Sequence, residues 1–218
     1  MNKIPPHLFR FFKEEKYALA FIKGKVRFGS LRYYRYLEDE RADKTEGLQF
    51  FKWENTKISH TTVSIHEHYI LCTSGPEVDI YKMIEKFESP FVVRIDNPYA
   101  LFEKIKTAWN KHSFSIKNQN SSVDFLRIQY NKGGTQESHR YYIPPHVCSQ
   151  KPLEKYEDEK EFRYILKCRF DKSNVTDNNN KLKIAPALFP SIHHFDHDLE
   201  DHLVLTVANC SSICSLQN

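Results

Sequence analysis

Apolar positions recur along the chain in short runs whose period changes from stretch to stretch, and the period assigns the elements. Residues 15–23, EKYALAFIK, are good helix formers followed by Gly24, where a left-handed helix end belongs, and they predict a short helix. KVRFGSL then alternates charged or small residues with Val26, Phe28 and Leu31, the pattern of a half-buried strand. In YYRYLEDERADKTEG aromatics give way to charges, which predicts a helical turn and an exposed loop ending at Gly47.

Residues 57–74, KISHTTVSIHEHYILCTS, are β-branched and end in the compact YILC, so two adjacent strands are expected. After Gly75-Pro76, VDIYKMIEKF has helical spacing at Val78, Tyr81, Ile84 and Phe87. FVVRI predicts a strand, and PYALFEKIKTAWNKH a helix with Pro98 in its first turn. VDFLRIQY at 123–130 predicts a strand, and NKGG at 131–134 a reversal of the chain. An acidic, lysine-rich lead at 154–161 precedes FRYILKCRF, a core strand; KSNVTDNNNK at 172–181 is loop composition, and HLVLTVA supplies a last strand.

The order of these elements implies an α+β chain, read as one domain over 1–218. Length changes the picture in one respect: 218 residues can bury a core without disulfides or metals. The five cysteines, Cys72, Cys148, Cys168, Cys210 and Cys214, lack zinc-site spacing, and we read them as reduced and mostly buried. No apolar run is long enough for a membrane span, and the N-terminal stretch lacks the uninterrupted apolar core of a signal peptide, so a cytoplasmic protein is expected. The net charge of +4 permits a nucleic-acid partner without requiring one. Lys23, Lys25, Arg27, Arg32 and Arg35 do stand among aromatics, which suits a partner that is both phosphate-rich and stackable; a solvated edge with buried tyrosines has the same composition.

Several chemistries are disfavoured by what the chain lacks. The HHFDHD run gathers His193, His194, Asp196, His197 and Asp198, but the Glu of an HExxH site is missing, and such runs are more often solvated loops. No GxSxG elbow or GxxxxGK[ST] loop is present, and Cys72 lies inside an apolar strand. A nuclease would need its carboxylates from Asp39, Glu40, Asp43 and Glu46, a loop whose ordinary role is a charged surface. What remains is a trio on three strand-like pieces: Arg10 in LFRFF, Thr73-Ser74 closing YILCTS, and Glu159-Lys160-Glu161 opening EKEFRYIL. In a strand Glu159 and Glu161 share a face. A charged strand entrance paired with nearby Lys or Arg would look the same.

This trio resembles the ADP-ribosyltransferase superfamily, whose toxin-like branch carries an Arg on its first strand, Ser-Thr-Ser on another and Glu-x-Glu later. The counterparts here are Arg10, Cys72-Thr73-Ser74 and Glu159-Lys160-Glu161, in that order, with Cys72 replacing the first Ser. FRFF, ALAFIKGKVRFGSLRYYR, ERADKTEG, YILCTS and EKEFRYIL extend the similarity to bacterial toxin and phage-defence members across about residues 7–166. The resemblance implies a split β-sheet core with flanking helices and NAD as co-substrate. Arg10, with Arg27 or Arg35, would face its phosphates; Tyr33 or Tyr34 would stack on a ring; Thr73-Ser74 would edge the nicotinamide pocket. Glu161 would bind the nicotinamide ribose, and Glu159 would orient the acceptor. Glu at 159 fits acceptors with nitrogen nucleophiles, and the basic aromatic stretch favours a nucleic acid, RNA first. A cognate antitoxin is the implied partner. The competing expectations are a protein acceptor, a nucleic-acid-binding or nuclease component of a defence system, and a catalytically dead interaction domain.

Overall fold

The computed structural model describes residues 4–30, 34, 48–53, 59–63, 66–112, 122–131, 135–138, 150–169 and 202–217. It is a mixed α+β structure with few helices, built on a mostly antiparallel sheet. The strands are β1 (Leu8–Phe12), β2 (Lys25–Ser30), β3 (Leu48–Trp53), β4 (Ser59–Val63), β5 (His66–Ser74), β6 (Phe91–Ile95), β7 (Ser122–Arg127), β8 (Gln129–Asn131), β9 (Thr135–Ser138), β10 (Gln150–Pro152), β11 (Glu161–Arg169), β12 (His202–Thr206) and β13 (Cys214–Gln217). The helices are α1 (Glu15–Ile22), α2 (Ile80–Phe87), α3 (Pro98–Asn110) and α4 (Leu153–Tyr156), the last followed by a tight 3-10 turn, Glu157–Glu159.

β5 is the axis of the main sheet. One edge pairs along its whole length with β11, from Glu161 opposite Ser74 to Arg169 opposite His66, and β11 in turn pairs with β7. Its other edge forks. Ile70 and Tyr69 pair with Gly29 and Ser30 of β2, whereas Ser74 pairs with Phe9 of β1. β2 carries β12 away on one arm; β1 carries β6 and β13 away on the other. Leu71, Cys72 and Thr73 therefore lie between the two arms.

Each face of the sheet has its own cover. On one face Leu8, Val26, Phe28, Tyr69, Leu71, Val93, Phe162 and Tyr164 pack against Ala18 and Phe21 of α1 and Leu101, Ile105 and Trp109 of α3. On the other, α2 lays Met83, with Ile80, Ile84 and Phe87, on Phe9 and Val92. The predicted apolar stripe of this helix is thereby corrected, since Tyr81 is 86% exposed and Met83 takes the buried position. Asp79 caps α2 by accepting from Lys82 N at 3.1 Å, and Asn97 caps α3 by accepting from Ala100 N at 2.9 Å, ahead of Pro98.

Other expectations are also revised. The two strands foreseen within 57–74 exist, but β4 pairs with β3 in a separate three-stranded sheet while β5 enters the main one. The strand foreseen at 123–130 breaks at Ile128 into β7 and β8. Of NKGG only Asn131 is among the described residues, and the strands on either side of it have other partners: β8 pairs with β10, and β9 with β3, both in parallel. β3 and β13 were not foreseen. The 172–181 stretch and the HHFDHD run lie outside the described residues, as do most of 31–47. Among the described residues no helix is long and apolar enough to cross a membrane, and no three His, Cys, Asp or Glu side chains are grouped to hold a metal.

Candidate active site at the fork

Alternation sets the chemistry of the fork. Ile70, Cys72 and Ser74 of β5 face the same way as Ile165, Arg163 and Glu161 of β11, because each pair stands in register. Toward one end this face is apolar, with Ile70 and Ile165 packed against Tyr34, Cys72 and Leu126. Toward the other it is charged and still closed: Ser74, Glu161 and Arg163 are 4%, 2% and 0% exposed.

A buried carboxylate is costly unless it is paired, and Glu161 is paired twice. Arg163 Nε donates to Oε1 at 2.7 Å and its Nη2 to Oε2 at 3.3 Å, while Lys151 Nζ stands 2.8 Å from Oε2. Burial alone would push the Glu161 carboxyl up. The Arg163 and Lys151 charges, the Arg163 hydrogen bond and a hydrogen bond from the Cys72 thiol outweigh it and hold the group well below the usual carboxylate range. The backbone N–H of Glu161 donates to Tyr130 Oη at 2.7 Å, and burial followed by the Glu161 charge raises that phenol. Burial and the same charge also push the Cys72 thiol up, which marks it as a neutral donor and not as a nucleophile.

Arg10 enters from the first arm. It lies on β1 on the side of Leu8 and Phe12, and its Nη1 donates to the carbonyl of Cys72, in the stretch of β5 between the two arms. Its buried Nε has no hydrogen-bond partner among the described residues. From the second arm, Tyr34 covers Gly29 so closely that a Cβ at that glycine would come within 2.7 Å of the ring. Burial, then the neighbouring Cys72, raises the Tyr34 phenol, with Arg10, Glu161 and Arg163 also within electrostatic reach. Gly75 meets a similar limit: a Cβ there would stand 3.1 Å from Lys160 O and 3.1 Å from the Phe162 ring, where Gly75 N donates to Lys160 O at 2.9 Å.

The structure thus brings Tyr34, Ser74 and Glu161 to one face of the fork, while Arg10 leaves β1 on the opposite face and meets the fork through the Cys72 carbonyl; other candidates are separated from it. Thr73 points to the opposite face, where its hydroxyl donates to Phe162 O at 2.9 Å; its neighbour Ser74 takes the site face because a strand alternates. Arg27 is exposed on the β2 arm, in register with Val204. Tyr33 and Arg35 lie outside the described residues. Glu159 is not on the strand as expected. The 3-10 turn ends with it, Lys160 adopts a left-handed φ of 43°, and β11 starts at Glu161, so simple alternation does not relate the two carboxylates. They are instead joined by Lys151, whose Nζ is 3.0 Å from Glu159 Oε2.

Lys151 and Arg163 are the site residues that sequence reasoning missed. Arg163 had a signal, two residues after Glu161 on the same strand. Lys151 had none, because its place depends on β10 pairing with β8. Beyond Glu159 the charges continue outward: Lys86 is 3.2 Å from Glu159 and 2.8 Å from Asp158, and Lys82 is 3.0 Å from Asp158. Seven alternating charges run from the surface at Lys82 to the interior at Arg163. Comparisons with protein-family models, with curated proteins and with solved structures gave no match.

Proposed function

We propose that the chain is a NAD-consuming mono-ADP-ribosyltransferase on a split-sheet core, acting in the bacterial cytoplasm as the toxin of a toxin-antitoxin or phage-defence system. The observation that carries this reading is that Ser74 of β5 and Glu161 of β11 stand in register on one face at the fork of the sheet, where Arg10 of β1 reaches the Cys72 carbonyl. Three residues far apart in sequence, which the resemblance singles out, stand on neighbouring strands.

The residues present fit the co-substrate. The Arg10 guanidinium, whose buried Nε has no hydrogen-bond partner among the described residues, supplies donors for a phosphate oxygen. Tyr34 offers a ring for stacking, and Ser74 a hydroxyl at the edge of the pocket. Glu161 is held ionised, as its role requires: it accepts a hydrogen bond from a ribose hydroxyl and opposes positive charge building at the anomeric carbon as the bond to nicotinamide breaks. The electron pair of the broken bond leaves with nicotinamide, and the acceptor's nucleophilic atom forms the new bond to that carbon and gives its proton to solvent. A nucleic acid, RNA first, is the proposed acceptor, and a cognate antitoxin the proposed partner.

One observation favours a second reading, an inactive interaction domain on the same fold: Glu161 is 2% exposed and already ion-paired. Incubation with NAD labelled in its adenylate phosphate, together with RNA, single-stranded DNA or cell lysate, separates the two. The transferase predicts label on one acceptor class, lost in Glu161→Gln with folding intact. The inactive domain predicts no label and a biological effect that survives the substitution.

A further inference from the structure

The two carboxylates that sequence patterning singles out meet on one ammonium. Lys151 Nζ lies 3.0 Å from Glu159 Oε2 and 2.8 Å from Glu161 Oε2, with these side chains 8%, 8% and 3% exposed. Lys151 also stands over the Tyr156 ring, 4.5 Å from its centroid. The remaining oxygen of Glu159 is held by Lys86 at 3.2 Å, and that of Glu161 by Arg163 at 2.7 Å. Both oxygens of Glu159 are therefore engaged by buried or half-buried ammonium groups, and the group it shares with Glu161 is a cation.

We infer that Lys151 is a positioning residue for Glu161, and that Glu159 acts on the site through Lys151 and not on an acceptor. The inference rests on the transferase reading for its effect on turnover. Arg163 is fixed by its own strand and holds Glu161 along one edge. Lys151 is a point charge on a flexible stem with three donors, so it can release Glu161 Oε2 to an incoming hydroxyl while staying on Glu159. Glu159, anchored by Lys86 of α2, keeps the ammonium beside the carboxylate as that exchange occurs. Among the described residues, the other groups facing Glu161 are Arg163 on its own strand, Cys72 and Ser74 from β5, Tyr130 from β8, and Tyr34.

The test uses the full chain as wild type, Lys151→Met, Lys151→Arg, Glu159→Gln and the double variant Lys151→Met/Glu159→Gln. Two turnover readouts are followed: nicotinamide release with water as acceptor, and transfer to the labelled acceptor. If Glu159 works through Lys151, Glu159→Gln slows both readouts by the same factor, on the order of a hundredfold. Lys151→Met does the same, Lys151→Arg restores part of the rate, and the double variant is no slower than Lys151→Met. Loss of transfer with water hydrolysis untouched in Glu159→Gln, or additive losses in the double variant, overturns the inference.

A second readout does not depend on turnover. The Lys151 ammonium is followed by 1H–15N correlation of lysine Nζ groups, assigned by its loss in Lys151→Arg. Displacement of this signal in both Glu159→Gln and Glu161→Gln supports the bridge. Displacement in only one of them overturns it, even if the wild type proves unable to consume NAD.

Discussion

Glu161 is buried and yet held in its ionised form because Arg163 stands two residues away on the same strand face with one guanidinium edge, Nε and Nη2, on its two oxygens. Removing one partner of such a pair leaves a buried charge exposed to its full desolvation cost. Arg163→Met should therefore lose about 3 kcal/mol of stability in urea denaturation, and Arg163→Lys less, since lysine keeps the charge but not the fork. A loss under about 0.5 kcal/mol for Arg163→Met would show that the pair is not formed. The sign of the pH effect follows from the depressed carboxyl. Its contribution is complete above the unfolded carboxylate range, near pH 4.5, and is lost as pH falls toward the lower folded value. Asp158, which burial would raise but the hydrogen bonds and charges of Lys86 and Lys82 together lower, acts with the same sign. Stability should be level from neutral pH down to about pH 5 and fall below it, as thermal melts across that range will show. The raised Cys72 thiol predicts slow alkylation by iodoacetamide at neutral pH, read by peptide mapping; labelling as fast as an unfolded thiol would contradict the placement.

At the scale of elements, local chemistry was legible wherever it decided the outcome. EKYALAFIK with Gly24 gave α1, and Asn97-Pro98 gave the start of α3, because caps and backbone freedom act within a turn. Gly24 has φ +93° and lies against the backbone of Val207 and Ala208. Gly24→Ala should accordingly cost about 1–3 kcal/mol, checked by chemical denaturation. Non-local pairing was not legible. NKGG has hairpin chemistry, but β8 and β9 find other partners, and VDFLRIQY breaks at Ile128, whose N–H donates to Glu161 O at 2.9 Å. Tyr81 had the right spacing for the apolar stripe of α2, yet Met83 fits the space over Phe9 and Val92. The candidate site divides in the same way. Arg10, Ser74 and Glu161 were found from strand motifs, whereas Lys151 depends on a parallel pairing that no local signal announces, and Glu159 left the strand because Lys160 takes a left-handed turn.

Across the whole molecule, the fork and the line of charges are two halves of one arrangement. The fork opens the sheet at Cys72, and the alternating charges tie Glu161 through Lys151, Glu159 and Lys86 to α2, on the face that α2 also covers with apolar side chains. Solvent screens the outer end, so Lys82→Ala should change stability by less than about 0.5 kcal/mol, while substitutions at the inner end are costly. Equal losses at the two ends would mean that burial does not grade the chain. The central claim is that this fork consumes NAD through Glu161, and the most direct measurement is nicotinamide release from NAD by the purified wild type and by Glu161→Gln, with the melting of both recorded. The account predicts release by the wild type and loss of release in a folded Glu161→Gln; no release by the wild type, or equal release by both, would contradict it.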